Sequence, residues 1–209
     1  LSAIQILFFV TGCNLKSEFD PDYFCKKLEL NCTQNNLIIN FRTSKGDFEV
    51  ELFGEDNPVT VSNFLENINN NIYDNQKFYK IINYPQLSFI HGGVNPKNKS
   101  YIERNQTLNK RTPSIPLEIK FKEEMTPRYN YQIKSPSELQ NLINNFERGS
   151  IAMVKSGKKN SSSTEFFFVT NQFPELDGRY SIFGKIIRGV DVLEKIKKND
   201  YIIEVEISN

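Results

Sequence analysis

Phe78-Tyr79-Lys80-Ile81-Ile82 and, after a link, Ser88-Phe89-Ile90-His91-Gly92-Gly93 are the stretch on which the reading of this chain turns. Each run is rich in β-branched and aromatic residues, as strands are. The second ends at Gly92-Gly93. The chain around them has 209 residues, a net charge of +1 and 38% hydrophobic residues. That length suits one domain burying roughly 70% of its unfolded surface. Charges are interspersed, so there is no basic footprint for nucleic acid, and the Lys- and Asn-rich residues 95–111 read as a solvated loop.

Upstream, Leu37, Ile39 and Phe41 alternate with more polar neighbours, and Phe48, Val50 and Leu52 enclose Glu49 and Glu51. Ser44-Lys45-Gly46-Asp47 supplies turn chemistry between them, which predicts a β-hairpin with one buried face. Asn57 as N-cap, Pro58 at the first helical position, and Val61, Phe64, Leu65 and Ile68 at i, i+3, i+4, i+7 predict a helix. Downstream, residues 94–145 form a Pro- and Asn-rich excursion. Within it, Ser135-Pro136-Ser137-Glu138 has the form of a capping box before Leu139, Leu142 and Ile143. Strands resume at 150–154, 165–170 and 181–186, and a helix carries Val192, Leu193 and Ile196. A last strand alternates Ile203, Val205 and Ile207 with glutamates. Many short strands with two strong helices make a mainly β chain. A closed antiparallel barrel removes exposed edges, though composition alone leaves a sandwich open.

The opening runs resemble the first signature of the cyclophilin family, Phe-His-Arg-Val-Ile, a short link, then Phe-Met-Ile-Gln-Gly-Gly. A second signature is Met-Ala-Arg/Asn, a loop, Ser-Gln-Phe-Phe, then Trp-Leu-Asp-Gly-Lys-His and Phe-Gly. Here it reads Met153-Val154-Lys155, Thr164-Glu165-Phe166-Phe167, Glu175-Leu176-Asp177-Gly178-Arg179-Tyr180 and Phe183-Gly184. The resemblance implies a closed eight-stranded antiparallel barrel capped by two helices over residues 35–209, with the 94–145 excursion inserted. It also implies a peptidyl-prolyl cis-trans isomerase acting on proline-containing polypeptides.

Rotation about an X–Pro bond is opposed by amide resonance, with a barrier of about 18–20 kcal/mol. Catalysis needs an apolar pocket for the proline ring and a donor that favours the twisted amide, with neither nucleophile nor cofactor. In cyclophilins an arginine is the donor and a phenylalanine lines the pocket. The resemblance gives these catalytic places to Lys80 and Phe167. It gives substrate-binding places to Phe89, His91, Val154, Lys155, Glu165, Leu176 and Tyr180, and puts Glu175 where the family has tryptophan. Lysine offers a compact charge where arginine offers a planar fork. Plainer readings stand beside these: a solvated strand lysine, one core aromatic among 17 phenylalanines, a histidine at the barrel rim. Lys80 and Glu165, in the places of arginine and glutamine, are expected to form an ion pair that partly neutralises the donor. On that expectation Glu165→Gln raises activity.

Ile4–Val10 is an apolar run too short to span a bilayer, and resembles the core of a secretory signal. Val10-Thr11-Gly12-Cys13 then matches the lipobox of bacterial lipoproteins, in which the cysteine is lipidated. Residues 1–12 accordingly read as a truncated signal, and 13–34 as a lipidated tether holding an exported protein at the bacterial cell-envelope membrane. A buried strand, or an ordinary signal, is the alternative. Cys25 and Cys32 are close in sequence and pair in an oxidising compartment, or remain two free thiols. With one histidine and all three cysteines ahead of residue 35, no metal-ligand spacing occurs. Two functions compete: an isomerase assisting the folding of exported proteins, and a catalytically weak module that binds Pro-containing peptides as a chaperone or assembly factor. A lipocalin-like carrier is a third class of small exported barrel, but accounts for neither signature.

Overall fold

The computed structural model describes residues 20–84, 87–94, 114–155 and 160–208. The signal-like run, Cys13 and much of the excursion lie outside them. The predicted hairpin is β1 (Leu37–Thr43) and β2 (Gly46–Leu52), with Phe41 opposite Phe48 and Ile39 opposite Val50. Its alternation resolves as expected: Ile39, Phe41, Phe48, Val50 and Leu52 are buried. The turn is shaped by Gly46 at φ +125° and by the Thr43 hydroxyl, which donates to the Gly46 carbonyl.

Helix α2 (Pro58–Asn69) follows, with Val61, Phe64 and Ile68 facing the core. Asn57 stands at the expected cap position, but its side chain makes no capping bond. Glu118, far along the chain, takes that role. Its carboxylate accepts the N–H groups of Val59 at 3.0 Å and Thr60 at 2.7 Å, two of the donors that a helix start leaves without partners.

The strands β3 (Lys80–Tyr84), β4 (Leu87–Gly93), β8 (Ser150–Lys155), β9 (Asn160–Val169), β10 (Ile182–Arg188) and β11 (Ile202–Ile207) join the hairpin in one curled antiparallel sheet. The order is β11-β1-β2-β10-β8-β9-β4-β3. Between its two ends there is no ladder among the described residues. They meet through an isolated bridge, Lys77 to Tyr201, and through main-chain bonds such as Phe78 N–H to Asp200 O at 2.8 Å. The eight-strand antiparallel path is thus as expected, while its last seam is a bridge. Inside the curl, Phe41, Phe48, Phe64, Tyr73, Phe166, Phe168 and Phe183 pack mostly edge to face, the geometry that ring quadrupoles favour.

Two other elements differ from expectation. The final helix, α4 (Val192–Lys195), is a single turn, because Gly189 turns the chain in at φ +79° and Ile196 is already extended. Among the described residues, α2 alone is a substantial cap. Residues 20–34, expected as tether, fold onto the domain instead. Asp20 caps α1 (Pro21–Lys27), and Phe24 and Cys25 bury against Val59 of α2 and Tyr129. A Cys25–Cys32 disulfide closes this segment. The described part of the excursion is ordered too. β5 (Ile115–Pro116) pairs with β9, β6 (Glu118–Ile119) pairs with β7 (Arg128–Tyr129), and α3 (Pro136–Gln140) helps cover Leu117, Ile119, Phe121 and Leu142.

Candidate active site

Antiparallel pairing puts directly opposed residues on one face of a sheet. The register therefore writes a row across five strands: Lys80 opposite His91, His91 opposite Phe167, Phe167 opposite Ala152, and Ala152 opposite Ile182. A second row runs Ile82, Phe89, Val169. Because Phe166, Phe168 and Ile90 belong to the core, these rows lie on the sheet's outer face. There they form a second apolar cluster. Phe146, Ala152, Phe167, Val169, Phe173 and Ile182 are buried in it, with Phe89, Val154, Leu176 and Tyr180 half-buried around them.

Phe167 is its hub, 3% exposed. His91 stacks on it at 5.6 Å between ring centres and Phe146 at 5.8 Å, while Phe89 and Tyr180 present edges at 5.4 and 5.2 Å. Lys155 places its ammonium 5.4 Å from the centre of the Tyr180 ring, within cation–π range. Leu176 ends a 3₁₀ turn (Pro174–Leu176) that Asp177 ties down by accepting the Phe146 N–H at 2.7 Å. Burial holds the Asp177 carboxyl above its ordinary range. The two glycines are required by contact. A Cβ on Gly92 would meet the Phe166 ring at 2.9 Å, and one on Gly93, at φ +85°, would meet the Thr164 carbonyl oxygen at 2.1 Å.

The polar margin is formed by Lys80, His91, Tyr79 and Glu165. Lys80 is exposed and makes no ion pair among the described residues. Burial first, and then the Lys80 charge, push His91 down to about 4, so its imidazole is neutral at physiological pH. The expected Lys80–Glu165 ion pair is not formed. The Tyr79 hydroxyl donates to Glu165 Oε1 at 2.7 Å instead. Burial and this carboxylate together raise the Tyr79 phenol well above its usual range, which keeps it a donor. The predicted gain of activity in Glu165→Gln loses its basis.

The structure thus brings Lys80, Phe89, His91, Val154, Lys155, Phe167, Leu176 and Tyr180 to one face, with Glu165 at its margin. Glu175 is exposed beside Leu176. Sequence reasoning missed Phe146, Phe173, Val169 and Ile182. The alternation 165, 167, 169 along β9 pointed to Val169; Phe146 sits in irregular chain with no period to read. Among the described residues, no group of three or more His, Cys, Asp or Glu stands placed for a metal ion. The arrangement sets a lysine cation at the edge of a packed aromatic cluster whose half-buried members are Phe89, Leu176 and Tyr180.

Comparison with known proteins agrees with this geometry. Residues 38–208 match the family model described as cyclophilin type peptidyl-prolyl cis-trans isomerase/CLD. A peptidyl-prolyl cis-trans isomerase of Helicobacter pylori is 30% identical over 189 residues, covering 90% of this chain and 94% of that protein. A Synechocystis relative named for the thylakoid lumen is 26% identical over 90% of this chain, which spans 50% of its length. A Cryptosporidium parvum cyclophilin type isomerase, also solved in the presence of the dipeptide Ala-Pro, superposes with a TM-score of 0.57. It is 22% identical, and the match covers 84% of this chain and 99% of that one.

Proposed function

The chain belongs to the cyclophilin-type peptidyl-prolyl cis-trans isomerase family, and on that premise we propose that Lys80 and the Phe167 cluster rotate X–Pro bonds in exported polypeptides. The observation that carries this reading is the row Lys80–His91–Phe167, which sets a cation without an ion pair two strands from an aromatic floor. The proline ring rests against half-buried Phe89 and Leu176, over the aromatic cluster centred on Phe167. The Lys80 ammonium donates to the substrate amide as it twists. Resonance is lost in the twisted amide, so a donor that favours it stabilises the transition state more than the planar ground state. Neutral His91 offers a hydrogen bond to the peptide backbone, and Lys155 and Tyr180 line the far side. The replacement of arginine by Lys80, glutamine by Glu165, tryptophan by Glu175 and histidine by Tyr180 makes this a divergent groove.

The second reading, a low-turnover module that holds Pro-containing segments, draws on the enclosure of Phe167 by His91 and Phe146. A proline isomerisation assay on the full chain separates the two. Removing a single preorganised donor costs about a hundredfold or more in turnover, so Lys80→Ala is expected to fall by that order while still binding Pro-peptides. Phe167→Ala is expected to lose both binding and turnover. Wild-type binding without turnover supports the module.

The signal-like run, the lipobox-like Val10-Thr11-Gly12-Cys13 and a Cys25–Cys32 disulfide of the kind that persists in oxidising compartments support an exported, lipid-anchored protein that assists folding. Several acyl chains on Cys13 would anchor it stably, where one is marginal. Release of Cys13→Ala from the membrane fraction is the expected result; unchanged fractionation removes the anchor from this reading.

A further inference from the structure

We propose that Tyr79 is a positioning residue that holds the Glu165 carboxylate off the Lys80 ammonium, leaving that cation free for the substrate amide. The inference rests on the reading of Lys80 as the donor.

The register sets up the conflict. Lys80 lies opposite His91, and Glu165 lies opposite Gly93, two residues further along β4. With strands about 4.8 Å apart and residues about 3.4 Å apart, the two backbones are roughly 12 Å from each other. Extended lysine and glutamate side chains together cover most of that distance, so nothing in the backbone forbids an ion pair. Yet none forms, because Tyr79, the chain neighbour of Lys80, takes the carboxylate at 2.7 Å. That hydroxyl is the one hydrogen-bond partner of the Glu165 carboxylate among the described residues. An ion pair would hold Lys80 in place but spend its charge on Glu165. A neutral phenol occupies the carboxylate without cancelling any charge on the lysine.

Among the described residues, the surrounding groups leave no other candidate for this role. Tyr79 and Lys80 come from the β3 segment and His91 from β4. Lys155 and Tyr180 stand on the far side of Phe167. His91 is neutral and stacked on Phe167, and Lys155 lies over the Tyr180 ring.

The test is a double-mutant cycle on the full chain, with cis–trans exchange of a proline peptide followed by NMR so that no coupling protease limits the pH. Tyr79→Phe is expected to lower kcat/KM by about tenfold near pH 7.5, equivalent to about 1.4 kcal/mol. In the Glu165→Gln background the same change is expected to have no further effect, because no carboxylate is left to restrain. An undiminished wild-type rate in Tyr79→Phe overturns the proposal. So does a tenfold deficit that persists in the Glu165→Gln background, since that makes Tyr79 merely structural. Full activity in Lys80→Ala is a different failure: it removes the donor reading itself, and this inference with it.

Discussion

His91 shows how a single side chain reports its surroundings. It is stacked on Phe167 and lies beside Lys80, and its proton affinity in the folded chain is pushed down to about 4, against about 6.5 when unfolded. As pH falls, the unfolded chain therefore binds the proton first. The stability tied to this residue is intact above about pH 6.5 and is lost as the pH drops towards about 4. Because His91 is only partly enclosed, the loss is on the order of 1–2 kcal/mol after screening. Urea midpoints at several pH values should show it as the difference between the wild type and His91→Gln. Glu118, pushed up by burial to about 7, contributes with the opposite sign, so the wild-type curve alone does not isolate the effect. Equal pH slopes in the two proteins would contradict the assignment. At this scale the sequence was informative about which residues gather. The motif register proposed Lys80 and Phe167 for one site with His91 beside them, and the strand pairing puts the three in one row. It was blind to whom they bond: Tyr79 taking Glu165 depends on which side chain reaches first, which no spacing encodes.

At the scale of elements, the alternating and helical patterns predicted β1, β2, α2 and the later strands, because one buried face imposes its period on the residues. They failed where partners come from afar. Asn57 has the residue type of a cap, but the buried carboxylate of Glu118 on β6 holds the start of α2. Glu118→Ala leaves two buried N–H groups without acceptors, each costing about 1–3 kcal/mol, so a loss of roughly 2–5 kcal/mol is expected in urea unfolding. A loss below about 1 kcal/mol would mean that water or the Asn57 side-chain oxygen replaces the cap. The same bond explains why the excursion cannot be read as a detachable loop. The excursion supplies a structural part of the domain through Glu118 and Tyr129. Polar, Pro-rich composition concealed this, since one glutamate in such a stretch reads as solvated.

On the scale of the whole molecule, α1 and its disulfide bind the chain ahead of β1 to the outside of α2. The polar average of residues 13–34 hid Phe24, whose ring packs on Tyr129 at 4.5 Å between centres. Reduction of the Cys25–Cys32 bond opens a short loop. In the chain-entropy picture it is expected to cost about 2–3 kcal/mol, while the β8–β9 face keeps its register. A lower melting temperature under reductant, with isomerase rate retained below it, is the expected result. Loss of activity at a temperature where the reduced chain is still folded would instead couple α1 to the groove.

Strand β9 carries two interleaved sets of side chains. Phe166 and Phe168 face the core, and Glu165, Phe167 and Val169 face the groove. Neighbouring letters of the same short word therefore answer to separate selective pressures. Substitutions at the even positions, and at Phe167 and Val169, which are buried in the outer cluster, should lower how much protein accumulates in a cell, whereas those at Glu165 should alter what the accumulated protein does. Glu165, half-buried at the margin, is the letter of this word that can change without renegotiating the packing that Phe166 and Phe168 share with the rest of the sheet.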